Sequence, residues 1–198
     1  MDRKLFTYAL LSVTILFWGS AFVGIRASLE SYSPGPLALF RYGVAGICML
    51  PLYFRLNKRQ RLTFRDLWQL ACAGFIGFSL YNVTLNYGEI TVPAGIASFV
   101  VSLIPVFIMI LAVTFLKEKL SRGAIIGASI SFIGVCTIAI GEHAGVEFDV
   151  GVVWTLITAL CGGAYTIIQK RLLVRFHPIE VTTSSIWLGL FALLFYLT

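Results

Sequence analysis

The groups in this sequence best suited to chemistry lie in apolar surroundings. Ser79, Asn82, Asn86 and Glu89 are spaced i, i+3, i+7 and i+10, which stacks them on one side of a helix. Tyr81 and Tyr87 lie close by. Amides in hydrocarbon must find partners, so Asn82 and Asn86 either line a cavity or bond to neighbouring helices, at roughly 0.6–2 kcal/mol per bond. Glu89 falls in the last turn of its stretch. A carboxylate at headgroup level is the favoured reading there, and a proton-coupling group is the other. Arg41 is the one base well inside an apolar stretch. A rise of about 1.5 Å per residue from Pro36 puts it roughly 8 Å below the outer membrane edge, within snorkelling reach. An outer-leaflet anchor, or an ion pair with Glu89 or Glu30, is favoured over substrate contact. Arg26 reads the same way.

A second set of candidates is aromatic or small. Trp18 and Phe22 stand at i and i+4 and form a stripe that suits either core packing or an apolar or aromatic substrate. Ser98, Ser102 and Pro105 share one face of a further stretch. Pro105 removes a backbone bond there, which makes a bend and a natural gate hinge. Gly123, Gly127 and Ser131 form a small-xxx-small run that suits close helix packing and a homodimer face.

These residues need long helices to position them. The chain has 198 residues, of which 59% are hydrophobic and only 12% charged, with mean hydropathy +0.91. A bilayer core of about 30 Å requires roughly 20 apolar residues per helix. Seven such spans are expected: Leu5–Ala27, Pro36–Phe54, Leu67–Ile90, Ala94–Leu116, Gly123–Gly141, Gly151–Lys170 and Ile179–Thr198. The breakers fall between them, at Ser33-Pro34-Gly35-Pro36, Pro93 and His177-Pro178. The fold class is therefore an all-α polytopic membrane protein of about seven transmembrane helices.

Charge sets the direction. Arg3, Lys4, Arg55, Lys58, Arg59, Arg61, Arg65, Lys117, Lys119, Arg122, Lys170, Arg171 and Arg175 all fall on alternate connections, so thirteen of the fifteen basic residues share one side. Glu30, Glu89, Glu142, Glu147 and Asp149 mark the other. The positive-inside rule then places the amino terminus in the cytoplasm, and a bacterial inner (plasma) membrane is the expected location. The net charge of +6 is topogenic and is no nucleic-acid footprint. Glu118 lies among Lys117, Lys119 and Arg122, which suits a surface ion pair.

Enzyme chemistry is not expected. Both histidines lie in connections and the spans hold no aspartate, so no nucleophile–base pair or metal set forms inside them. Cys48, Cys72, Cys136 and Cys161 are far apart in sequence, no glycine-rich phosphate loop follows a strand, and no cofactor is implied.

The chain also echoes itself. Residues Trp18 to Ile25 align with Cys161 to Ile168, which sets Tyr165 against Phe22, and each block precedes a proline and another span. A five-span unit places its second copy upside down, with a substrate site between the halves near the midplane. This divides the chain into residues 1–141, a complete first repeat, and 151–198, two helices of an inverted second repeat. The chain is expected to be truncated in that second repeat.

Four places carry a resemblance to the EamA-type family of the drug/metabolite transporter superfamily. They are Trp18-Gly19-Ser20-Ala21-Phe22, Phe40-Arg41-Tyr42, Tyr87 through Pro93-Ala94-Gly95-Ile96-Ala97-Ser98 with Leu103-Ile104-Pro105-Val106, and Phe115-Leu116-Lys117-Glu118-Lys119-Leu120. The resemblance implies ten spans in two inverted five-helix repeats around a central cavity. It also implies transport of small metabolites such as amino acids, without ATP. The alternative function class is a structural or assembly subunit of a membrane complex, which carries no flux alone. The cavity candidates are thus Trp18, Phe22, Ser79, Asn82, Asn86, Ser98, Ser102 and Tyr165, with Glu89 and Arg41 as coupling or ion-pair groups and Pro105 as hinge.

Overall fold

The computed structural model describes residues 3–56, 60–141 and 150–197. Of the charges used above, Lys58, Arg59, Glu142, Glu147 and Asp149 lie outside the described residues, as does Thr198 at the end of the seventh expected span. Seven helical rods follow: α1 (Arg3–Ser28), α2 (Pro34–Phe54), α3 (residues 64–91), α4 (Ala94–Leu116), α5 (Arg122–Gly141), α6 (Val150–Leu172) and α7 (Pro178–Leu197). Among the described residues there is no strand. Five of the rods, α1, α2, α4, α6 and α7, are single stretches long and apolar enough to cross a membrane.

Two rods are irregular. α3 runs Phe64–Gly74, then a π-helical segment Phe75–Leu80, then Tyr81–Thr91, without leaving the helix. α4 is Ala94–Val101 and Ile104–Leu116, parted at Ser102 and Leu103. Pro105 stands in the first turn of the second piece. Its ring would collide with the carbonyl four residues back, and it has no N–H to bond there. The expected bend is therefore a break that precedes the proline by two residues.

α3 is the hub and touches α1, α2, α4, α6 and α7, whereas α5 packs along α4. Lipid tails are as apolar as leucine, so association here depends on shape and polar contacts rather than on transfer from water. The closest approaches are made by small residues. A side chain on Gly189 of α7 would meet the Gly74 carbonyl of α3 at 2.6 Å, and one on Gly88 would meet Thr155 of α6 at 2.6 Å. Gly162 and Gly163 of α6 lie equally close to Ile104 and Phe107 of α4. By contrast Gly123 and Gly127 of α5 have nothing within 4 Å. Two apolar clusters fill the remaining space. Phe22, Leu37, Leu85 and Val101 belong to one, and Leu70, Leu172, Phe176 and Val181 to the other, near the basic end.

That basic end is pinned by polar contacts. Thr63 and Asp66 form a capping box, with the Asp66 carboxylate accepting from the Thr63 backbone N–H at 3.0 Å and from its hydroxyl at 2.6 Å. Arg175 donates to the other carboxylate oxygen at 2.8 Å. The Thr63 hydroxyl bond, then the Thr63 backbone bond and the Arg175 charge, hold the Asp66 carboxyl below the ordinary carboxylate range. Glu118 pairs across to Lys170 of α6 at 2.6 Å rather than with its sequence neighbours.

Two outcomes follow for stability. Gly74→Ala forces α3 and α7 apart and lowers stability by about 1–3 kcal/mol in SDS-titrated unfolding, whereas Gly127→Ala leaves it unchanged. The depressed Asp66 carboxyl contributes stability that is present above its unfolded pKa of about 3.9 and is lost as pH falls through its lower folded value. Asp66→Asn flattens that acid limb in thermal unfolding followed against pH.

Candidate functional site

Two adjoining cavities gather most of the candidate residues. The larger, about 560 Å³, opens between α1, α4 and α6. Trp18 and Phe22 wall it from α1, Ser98, Ser102 and Pro105 from α4, and Thr166 from α6. The smaller, about 70 Å³, is lined by Arg41 and Tyr42 of α2 and by Tyr81 and Asn82 of α3. Trp18 and Phe22 line it too, so the two cavities meet across these rings.

The larger cleft is apolar with a few polar points. Ser98 donates to the Gly95 carbonyl at 2.7 Å, Ser102 to Phe99 at 2.5 Å and Thr166 to Gly162 at 2.8 Å. Each hydroxyl spends its proton within its own helix, which leaves its oxygen lone pairs as acceptors for a guest. The break in α4 sets Ser102 beside Pro105, so one wall of the cleft is the least regular backbone in its rod.

The polar stripe of α3 divides by depth. Asn82 lines the small cavity and gives its amide N–H to the Phe78 carbonyl at 2.8 Å. Asn86 is fully buried and donates to the Pro34 carbonyl at 2.7 Å, which ties α3 to the start of α2. Ser79 donates to the Gly189 carbonyl of α7 at 2.6 Å. Thr84, absent from the expected stripe, shares a hydrogen bond of 2.8 Å with Thr158 of α6. Tyr165 meets Phe78 edge-on at 5.4 Å, and Phe78 meets Tyr42 at 5.2 Å. Ser79, Asn86 and Tyr165 thus join helices and are not among the walls of these two cavities.

One charged residue differs from expectation, and a second has an added role. Glu89 is 0% exposed, so it is not a solvated headgroup-level carboxylate. The Arg26 guanidinium donates to the Glu89 and Ile90 carbonyls, the latter at 2.9 Å, and so caps the end of α3. Among the described residues neither Glu89 carboxylate oxygen has a hydrogen-bond partner, and neither does Nη1 of Arg41. No Arg41–Glu89 ion pair forms within bonding distance, because Arg41 lies along the small cavity, where its guanidinium stands 6.0 Å from the Tyr42 ring.

Sequence reasoning missed Tyr42 and Thr166. Each adjoins a residue it did single out, Arg41 and Tyr165, one step off in helical phase. It also missed a third cleft of about 340 Å³ between α3, α4 and α6, walled by Trp68, Cys72, Phe115 and Arg171 at the basic end. Among the described residues no cluster of three or more His, Cys, Asp or Glu suited to a metal ion occurs.

Seven rods around a small-residue hub, with polar groups turned to each other and a cleft between three helices, define a polytopic helical membrane protein. The sequence profile of the EamA-like transporter family matches residues 5–140, and the chain belongs to that family. It is 37% identical over 180 residues to a protein of Streptantibioticus cattleyicolor named as a probable terminal-alkyne amino-acid exporter, covering 90% of this chain and 60% of that one. It is 36% identical over 186 residues to the uncharacterized transporter YdfC of Bacillus subtilis, covering 94% and 60%. It is 32% identical over 182 residues to an uncharacterized transporter of Archaeoglobus fulgidus, covering 92% and 64%. The chain therefore spans about 60% of the length of these relatives.

The assignment of Asn86 to helix joining has a measurable consequence. Asn86→Ala lowers stability by about 0.6–2 kcal/mol in SDS-titrated unfolding, the range of an interhelical hydrogen bond in a membrane.

Proposed function

We propose that the chain is the binding bundle of a secondary transporter for small organic metabolites such as amino acids, working without ATP by alternating access between two inverted repeats. The observation that carries this reading is the cleft of about 560 Å³. Its size suits a small organic molecule, its walls are apolar and aromatic, and its polar points are few and fixed. Its position agrees as well. In the proposed division, residues 1–141 are the first repeat and 151–198 begin the second. Trp18, Phe22, Ser98 and Ser102 then come from the first repeat and Thr166 from the second. A site at a repeat interface is reached from either side when the repeats rock against each other. The broken α4 is the natural hinge for that motion. The relative named as an amino-acid exporter supports the substrate class.

In this reading Glu89 exchanges the coupling proton, being a carboxylate buried among helices with no hydrogen-bond partner of its own among the described residues. The membrane is a bacterial inner membrane, with the basic connections and the amino terminus in the cytoplasm. One observation favours a second reading. The Gly123, Gly127 and Ser131 face of α5 is exposed, as a homodimer or subunit contact requires. Flux separates the two, since an assembly subunit carries none.

In proteoliposomes the chain gives saturable counterflow of a labelled amino acid, and Trp18→Ala lowers it at least about tenfold through lost contact with the bound side chain. Glu89→Gln flattens the pH profile of that flux. A profile that keeps its shape removes Glu89 as the coupling group, and counterflow that Trp18→Ala leaves unchanged removes the cleft as the binding site.

A further inference from the structure

Arg41 is the group that the reading above leaves without a task. It is the cation of the small cavity, its Nη1 is buried, and among the described residues that atom has no hydrogen-bond acceptor. A guanidinium carries five N–H donors and no acceptor, and a desolvated one is costly unless an anion or carbonyl meets it. The acidic side chain nearest in charge, Glu89, sits on α3 beyond bonding distance, and its own oxygens are unpartnered. Arg26, the other cation facing Glu89, is already committed to backbone carbonyls. Arg41, its Nη1 without a hydrogen-bond partner among the described residues, thus lines a chamber together with Tyr42, Tyr81 and Asn82.

We propose that this chamber is the subsite for the carboxylate of the transported molecule, with Arg41 as its fork-shaped donor, while the adjoining cleft takes the apolar side chain. The proposal rests on the transport reading and names its substrate class, small monocarboxylic acids with an apolar or aromatic tail. The dimensions agree. A carboxylate is small enough for about 70 Å³, and the larger space across Trp18 and Phe22 accepts an aliphatic or aromatic group. The donor chemistry agrees too. Arginine binds carboxylates through two parallel N–H bonds, which are shorter and stronger than neutral ones. Tyr42 and Tyr81 line the same chamber and carry hydroxyls able to donate to a carboxylate. The Asn82 amide, its N–H given to Phe78, keeps a carbonyl oxygen as an acceptor for an α-ammonium group. Trp18 and Phe22 then sit at the junction between head and tail, so a guest with only one of the two groups gains only part of the contact.

The test is binding to the chain in lipid nanodiscs, read by fluorescence of Trp18 after Trp68, Trp154 and Trp187 are replaced by Phe. The probes are L-leucine, 4-methylpentanoate, which lacks the amine, and L-leucinamide, which lacks the carboxylate. Leucine and methylpentanoate bind at least about tenfold tighter than leucinamide, the worth of a charge-assisted bond. Arg41→Gln removes that preference and leaves leucinamide unchanged or tighter, while Arg41→Lys keeps part of it. Equal affinity for leucine and leucinamide on the single-tryptophan chain that keeps Arg41 overturns the subsite, and this result needs no Arg41 variant. Loss of all three probes together in a folded Arg41→Gln chain also overturns it, because Arg41 then holds the bundle rather than the carboxylate. Acid-selective binding keeps the subsite even where the chain alone carries no counterflow, so the subsite and the transport reading fail separately.

Discussion

Everything in this bundle depends on how near α3 can come to its neighbours. In hydrocarbon, apolar side chains gain little by leaving lipid for protein, so helices are held by close contact and by polar groups that have nowhere else to go. Here the contact is made where glycines face backbone. Gly74 and Gly189 bring α3 against α7, and Gly88 with Gly151 brings its other end against α6. At that distance short side chains reach across. Ser79 bonds the Gly189 carbonyl, and Thr84 meets Thr158, bonds that a helix pair spaced by leucines could not make. Lengthening the contact residues would therefore cost packing and hydrogen bonds together.

The same constraint decides which polar residues remain for a guest. Ser79, Thr84 and Asn86 are used up in joining α3 to α7, α6 and α2. Asn82 is a turn away from Asn86, bonds within its own helix, and lines a cavity. The π-helical segment Phe75–Leu80 lies just before it and shifts the phase of the helix by a fraction of a turn. One stripe thus serves two purposes. Its outer members face neighbouring helices, and Asn82 is set where α1 and α2 leave a gap.

The seven rods were legible because hydrophobic length and the prolines at Pro34, Pro93 and Pro178 mark every boundary within a few residues. The aromatic and hydroxyl walls were legible as well, since Trp18, Phe22, Ser98 and Ser102 share faces by simple helical spacing. Tertiary choices were not. Glycine at Gly123 and Gly127 carries the same small-residue signal as Gly74 and Gly88, yet only the latter pair meets a neighbour at close range. Spacing tells that a surface is smooth and is silent about what lies against it. Glu89 shows the same limit, because its depth is set by the helices packed around the end of α3, which no one-dimensional pattern encodes. The π-helical segment has no residue signature either.

What remains is a division of labour between a rigid part and a loose one. α3, α6 and α7 are joined by backbone contact, hydrogen bonds and the Asp66–Arg175 pair, so they hold their relative positions firmly. α1 is joined to this block mainly through apolar side chains such as Phe22 and Ile25, with Arg26 at its end. α4, by contrast, is broken at Ser102, and only its second piece is held to α6 by the Gly162 and Gly163 contacts and the Glu118–Lys170 pair. Apolar contacts are non-directional and can slide, whereas a bond between Thr84 and Thr158 either forms or fails. The cleft lies on the seam between the two kinds of contact, with its aromatic wall on the loose side and Thr166 on the firm one. A guest held there would be gripped from both, and movement along that seam would change its access without unmaking the core.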